Sequence, residues 1–222
     1  MLCIDIETIP LAESLAVPFD RASATPPANY KTPEAISNWL DKAEAEYTTA
    51  RVKACSINPR LGRIVCLSYA LGNVDAKPQS LYAETPEQEA DLLRQFWALC
   101  LDKDVDRLVT WNGAFDLRWI VVRSLANKIL PSVGVTQWFK RYTTYPHCDV
   151  KAFLLQEWGS KVAGEGLDEW SAFFGIDGKP EGVDGSKVYP MFLAGQHAEI
   201  RQYCEADVRS TLQMFRAILP FI

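Results

Sequence analysis

The sequence predicts an α/β domain with a central mixed sheet and helices layered against it. Strand-like apolar runs come first, helix-like segments lie between and after them, and neither an internal repeat nor a second-domain linker interrupts the 222 residues. A hydrophobic fraction of 48% against 23% charged residues is enough for a sizeable core. The expectation is one domain over residues 1–222, carrying a helical and loop insertion at 9–60.

The elements follow in order. The opening "MLCIDIETIP" reads as a short buried strand from Met1 to Ile6. A Pro- and Ala-rich stretch from Pro10 to Tyr30 reads as loop, with one helical turn near Leu11 to Val17. Thr32 then offers an N-cap and Pro33 a first helical position, starting a helix to about Val52 that packs through Ile36, Trp39, Leu40 and Tyr47. "RIVCLSYALG" (63–72) and "QSLYAE" (79–84) suggest a hairpin. Thr85, Pro86 and Gln88 spell a capping-box start for a helix over 86–101. "RLVTWN" (107–112) is the fourth strand, and a helix from Phe115 to about Asn127 follows. A Pro- and Tyr-containing connection then leads to two short helices, "CDVKAFLLQEW" and "GLDEWSAFFGI". An exposed loop at 177–187 precedes a long closing helix from about Ala198 to Leu219.

Composition narrows the function classes. A formal charge of -5 argues against coating duplex DNA by charge alone, although two bound divalent cations would bring the chain to about -1. The six cysteines are scattered without a CxxC pair and read as buried, reduced thiols of a cytoplasmic protein. His147 and His197 are too few and too distant for an obvious zinc site. No apolar run approaches a membrane span, so no membrane partner is expected. "DKDVD" at 102–106 fails as a calcium loop, because Arg107 stands at the sixth-position glycine and Gly113 at the twelfth-position glutamate. Most of the seven tryptophans sit at helical core spacing, which favours structural use over base stacking. In the 177–187 loop, Lys179 and Lys187 suit either a phosphate backbone or plain solvation.

Chemistry concentrates in the acids. Asp5 and Glu7 alternate with Ile4 and Ile6, so both carboxylates leave one face of the first strand. Two like charges on a buried face need compensation, and a cation between them would supply it. "WNGAFDLRW" puts Asp116 just past a strand end, at the start of a helix. "YCEADVRST" puts Tyr203 and Asp207 four residues apart, on one face of the last helix. Asp149, in "HCDV", reads as an N-cap and not as a ligand.

These residues resemble a known family. "DIET", "NGAFD" and "YCEAD" are similar, in order, to the three exonuclease motifs of the DEDD superfamily, and Tyr203 four residues before Asp207 marks its DEDDy branch. The segments "LGRIVCLSYALG", "PHCDV", "LDEWSAFFGI" and "EIRQYCEADVRSTLQMF" resemble the predicted 3'-5' exonuclease group related to family B DNA polymerase proofreading domains. The resemblance covers 1–8 and roughly 60–219, and leaves out the 9–60 insertion.

It implies an RNase H-like three-layer fold with a central mixed β-sheet, and a metal-dependent 3'-5' exonuclease acting at nucleic-acid 3' ends, with DNA favoured over RNA. Catalytic residues would be Asp5, Glu7, Asp116, Tyr203 and Asp207, and the metal ligands Asp5, Glu7, Asp116 and Asp207. An all-oxygen set suits two Mg²⁺ or Mn²⁺ ions. Asp5 would bridge them, Glu7 and Asp207 would complete the ion beside the attacking water, and Asp116 would support the other. Ile6, Thr8, Asn112 and Phe115 would contact the terminal nucleotide, with Phe115 fitting a core position equally well. Any replication or repair partner would act in trans. An exoribonuclease of the same superfamily and a catalytically silent nucleic-acid-binding module stay open as alternatives.

Overall fold

The computed structural model describes residues 1–102, 105–155, 166–176 and 184–222. The first strand, β1 (Leu2–Pro10), is longer than the sequence suggests because its antiparallel pairing continues as far as Pro10. It runs antiparallel to β2 (Gly62–Leu71), from Leu2 opposite Leu71 to Pro10 opposite Gly62, with a bulge between Glu7 and Thr8. The predicted hairpin forms: β2 pairs antiparallel with β3 (Gln79–Tyr82). On its other side β1 meets β4 (Leu108–Thr110) in parallel, through Leu2 and Cys3 alone. A fifth strand, β5 (His147–Asp149), extends the sheet in parallel, giving the order β3-β2-β1-β4-β5.

That fifth strand corrects the reading of residues up to 148 as connection only. It has three residues and no β-branched run, so periodicity could not mark it. Its stability comes from register instead. Leu108, Val109 and Thr110 pair with His147, Cys148 and Asp149, and the His147 ring is held at both nitrogens. Nδ1 lies 2.8 Å from the Trp138 carbonyl and must carry the proton; Nε2, 2.9 Å from Thr110 Oγ1, accepts. Burial pushes this imidazole down to about 4, so it stays neutral and structural.

Helices cover both faces. Alternation along β1 sends Leu2, Ile4 and Ile6 to one side, where they pack with Leu92, Phe96, Leu117 and Trp119. Those partners come from α3 (Pro86–Leu99), which begins with the predicted capping box, and from α4 (Gly113–Ala126). Cys3 and Ile9 face the other side, against the closing helix α8 (His197–Ile218). The two short helices are α5 (Val150–Leu155) and α6 (Leu167–Phe173); the end of the first predicted segment, 156–158, lies outside the described residues. A further helix, α7 (Val188–Leu193), was not apparent in the sequence because Pro190 stands in its first turn. Lys187 closes a short 3-10 turn before it, while Lys179 lies outside the described residues.

The α3 side carries a buried ion pair. Glu89 is fully buried and takes a bidentate Arg123, with Nη2 at 2.7 Å and Nε at 2.9 Å, while its Oε1 also accepts from the Ile64 amide. Arg123 Nη1 reaches the Pro59 carbonyl, so one network ties α3, α4, β2 and the chain entering β2. Four of the described tryptophans (Trp97, Trp111, Trp119 and Trp138) are buried, in agreement with structural use.

Between Pro10 and Gly62, which pair with each other, the chain leaves the sheet and returns at one point. It forms a short α1 (Ala12–Leu15) and a 24-residue α2 (Pro33–Ser56), capped by Thr32 as predicted. Only Cys55 of α2 is fully buried, and residues before it lean on the loop through Tyr30–Trp39 and Phe19–Tyr47 ring contacts. Among the described residues no helix is long and apolar enough to cross a membrane.

Candidate active site

The site sits where β1 and β4 part. Their pairing ends at Cys3 and Val109, so Asp5 and Glu7 stand on a stretch of β1 that has lost one neighbour. The gap is bounded by the first turn of α4, which carries Asp116, and by the face of α8 that carries Asp207. Odd-numbered side chains of β1 face α8, so strand alternation and one helix face bring acids from three distant segments to one place.

The electrostatics record this proximity. Burial first, then the charges of Asp207, Asp116 and Glu7, push the Asp5 carboxyl well above the usual carboxylate range. Asp116 is raised to about 8, chiefly by burial; its own amide and that of Ile6 hydrogen-bond to it and oppose the rise, while Asp149 and Asp207 add to it. Glu7 and Asp207 are only 8% and 5% exposed. Three buried carboxyl groups and a half-buried fourth in one neighbourhood are costly when ionised, and a cation is the physical remedy.

The tightest grouping includes a residue the sequence reading passed over. Ligand atoms of Asp5, Glu7 and Cys204 all lie within 4.8 Å of one another. The Cys204 thiol is 3.4 Å from Asp5 Oδ2 and 3.4 Å from the Asp5 carbonyl, donating to both. Its hydrogen bond eases Asp5 toward ionisation, against burial and the neighbouring acids. The only sequence signal was position: Cys204 precedes Asp207 by three residues and so shares its face.

Tyr203 is 4% exposed and packs with Ile9, Cys66, Val188 and Ile200, between β1 and α7. Asn112 is exposed at the junction of β4 and α4, open to a ligand. Phe115 is half-buried, with its ring 5.9 Å from Trp119. Thr8 faces the other side of β1, and its hydroxyl donates to the Ser56 carbonyl at the end of α2. Ile6, whose backbone is the part expected to seat the nucleotide, has its side chain in the core and its amide donating to Asp116.

Asp149 acts as the expected cap, and for two helices. Oδ1 accepts from the Ala152 amide at 3.0 Å, and Oδ2 from the Gly113 amide at 2.9 Å at the start of α4. Gly113 is required there, because a Cβ would meet the His147 ring at 2.5 Å and Thr110 Oγ1 at 2.6 Å. The neutral histidine, the glycine and the cap together set how α4 presents Asp116.

A mixed sheet in this strand order, with helices on both faces and acids gathered beside the central strand, defines an RNase H-like α/β domain of the exonuclease kind. The chain belongs to a family described as predicted 3'-5' exonucleases related to the exonuclease domain of PolB, whose model matches residues 58–219. That match begins after α2 and includes Asp116, Tyr203 and Asp207, with β1 outside it. The chain is also similar to "Uncharacterized protein MJ0365" of Methanocaldococcus jannaschii, 22% identical over 175 residues, covering 76% of this chain and 92% of the relative.

Proposed function

We propose that this chain is a DEDDy-type 3'-5' exonuclease that uses two Mg²⁺ or Mn²⁺ ions to remove nucleoside 5'-monophosphates from 3' ends of single-stranded DNA. The observation that carries the reading is the gathering of half-buried Asp5 with the buried Glu7, Asp116 and Asp207, an arrangement that favours a shared cation over four free carboxylates. The donor set fits the ions: hard carboxylate oxygens predominate, and both histidines are engaged elsewhere. The whole chain would act as one domain, with 9–60 as an insertion on its rim.

When bound, such ions would acidify a water molecule and stabilise the departing 3'-oxygen. Asp5, Glu7, Asp116 and Asp207 would hold the ions, with Asp5 under the charge of the other three. Tyr203 would hold and orient the water through its hydroxyl; a phenol with an ordinary pKa of about 10 is a poor base at neutral pH. Asn112 and the exposed edge of Phe115 would receive the terminal nucleotide at the mouth. Backbone and stacking contacts of this kind carry little sequence preference.

The test is a 5'-labelled oligonucleotide incubated with Mg²⁺ or Mn²⁺, DNA and RNA side by side. A ladder shortening from the 3' end, faster on DNA and abolished by EDTA, is the expected result. Asp116→Ala should remove the ladder while the protein stays folded, and Tyr203→Phe should slow it without weakening metal binding. An internal cleavage pattern, or digestion indifferent to EDTA, would refute the proposal; faster RNA trimming would move it to an exoribonuclease.

A further inference from the structure

A second concave surface lies at the other end of the sheet. It is a groove of about 510 Å³ between the outer face of α8, the turn at 72–78 and the end of α6. The turn is fastened to the chain start, since the Gly72 amide donates to the Met1 carbonyl. Asp5 and Glu7 are four and six residues from Met1 along β1, roughly 13 to 20 Å from that chain start at 3.3 Å per residue, and none of the acids of the site lines the groove. The groove is therefore separate from the acidic site.

Its chemistry is opposite to that site. Val74, Pro78, Phe174, Ile176 and Leu212 give it an apolar floor, and Lys77, Arg209 and Arg216 stand on its walls with Asp75 as the one acid among the described residues. Among the described lining residues, three cations against one anion make a local positive surface on a chain of net charge -5. Asp75 pairs with Arg216 at 2.9 Å, but both are well over half exposed, so the bond is weak and exchangeable. Among the described residues neither Lys77 nor Arg209 has a carboxylate within ion-pair distance. Phe173, 77% exposed and 5.3 Å from Phe174, extends the apolar surface at one edge.

We infer that this groove docks a short acidic segment of a partner protein, one that alternates carboxylates with large apolar side chains. The volume falls in the range of specific ligand sites, about 300 to 1,000 Å³. A mostly aliphatic floor favours leucine- or phenylalanine-type anchors over nucleotides, which need stacking faces. The cationic walls select the anionic partner and repel basic ones. Such docking would hold the exonuclease beside another protein while leaving its carboxylate cleft open.

The experiment uses a fluorescein-labelled peptide alternating Asp with Leu and Phe, measured by anisotropy against the full chain in EDTA. A control peptide carries Lys in place of Asp. Saturable binding of the acidic peptide alone is expected, weakened about tenfold or more by Arg209→Glu and again by Lys77→Glu, with unfolding temperature unchanged. Failure to saturate, equal binding of the Lys peptide, or indifference to both reversals would overturn the inference. Displacement of the peptide by oligothymidylate in EDTA would also overturn it and assign the groove to nucleic acid. None of these outcomes touches the 3'-end ladder, so docking and catalysis stand or fall separately.

Discussion

Asp116→Asn should make the metal-free protein more stable, and more so as the pH rises. The folded carboxyl is raised to about 8 from an ordinary value of 3.8. Below the lower value both folded and unfolded chains carry the proton, and the residue has no effect on stability. As the pH climbs between the two values, only the unfolded chain releases its proton, so the folded form is progressively penalised up to about pH 8. Between about pH 5 and pH 8 that penalty grows by about 4 kcal/mol. Asparagine cannot ionise, yet its carbonyl can still accept from the Ile6 amide. Urea unfolding in EDTA, wild type and variant at both pH values, measures the difference directly. The variant should gain on the wild type by several kcal/mol over this range. Adding Mn²⁺ should narrow the gap, because a ligand at a hundredfold excess over its Kd contributes about 2.7 kcal/mol to the protein that binds it. Parallel pH profiles for the two proteins would mean that burial does not hold Asp116 protonated in the folded chain, and the electrostatic account would fail.

Two further outcomes follow from the frame around the site. Arg123→Ala leaves Glu89 buried without its cation, a loss of about 3 to 5 kcal/mol that should lower the unfolding temperature on the order of 10 °C; replacing Glu89 and Arg123 together by leucine and methionine should recover most of it, and no recovery would contradict the reasoning. Gly113→Ala should destabilise by about 2 kcal/mol despite the better helix propensity of alanine, because the His147 ring, bonded at both nitrogens, cannot retreat; a neutral or stabilising result in chemical denaturation would refute that.

Much of this architecture was legible in the residues because local chemistry and tertiary need agree. Thr85 with Gln88, and Thr32 with Pro33, announce helix starts that the structure keeps within a residue. The alternation of Asp5 and Glu7 with Ile4 and Ile6 gave the two faces of β1, since a strand has period two regardless of its partners. What escaped reading was what depends on distant partners. β5 is a three-residue strand fixed by β4 and by hydrogen bonds to one histidine ring. Cys204 looks like any core thiol until β1 lies across it, and Thr8 looks like a motif residue until Ser56 claims its hydroxyl. Glu89 and Arg123 lie 34 positions apart and show no pairing signal in either helix.

The most direct test of the central claim is a calorimetric titration of the metal-stripped protein with Mn²⁺, run beside Asp5→Asn and Asp207→Asn. If the carboxylates of β1, α4 and α8 form one cradle, the wild type binds two ions, and each variant loses most of the affinity while remaining folded. Wild-type affinity in both variants, or no binding by the wild type, would contradict it.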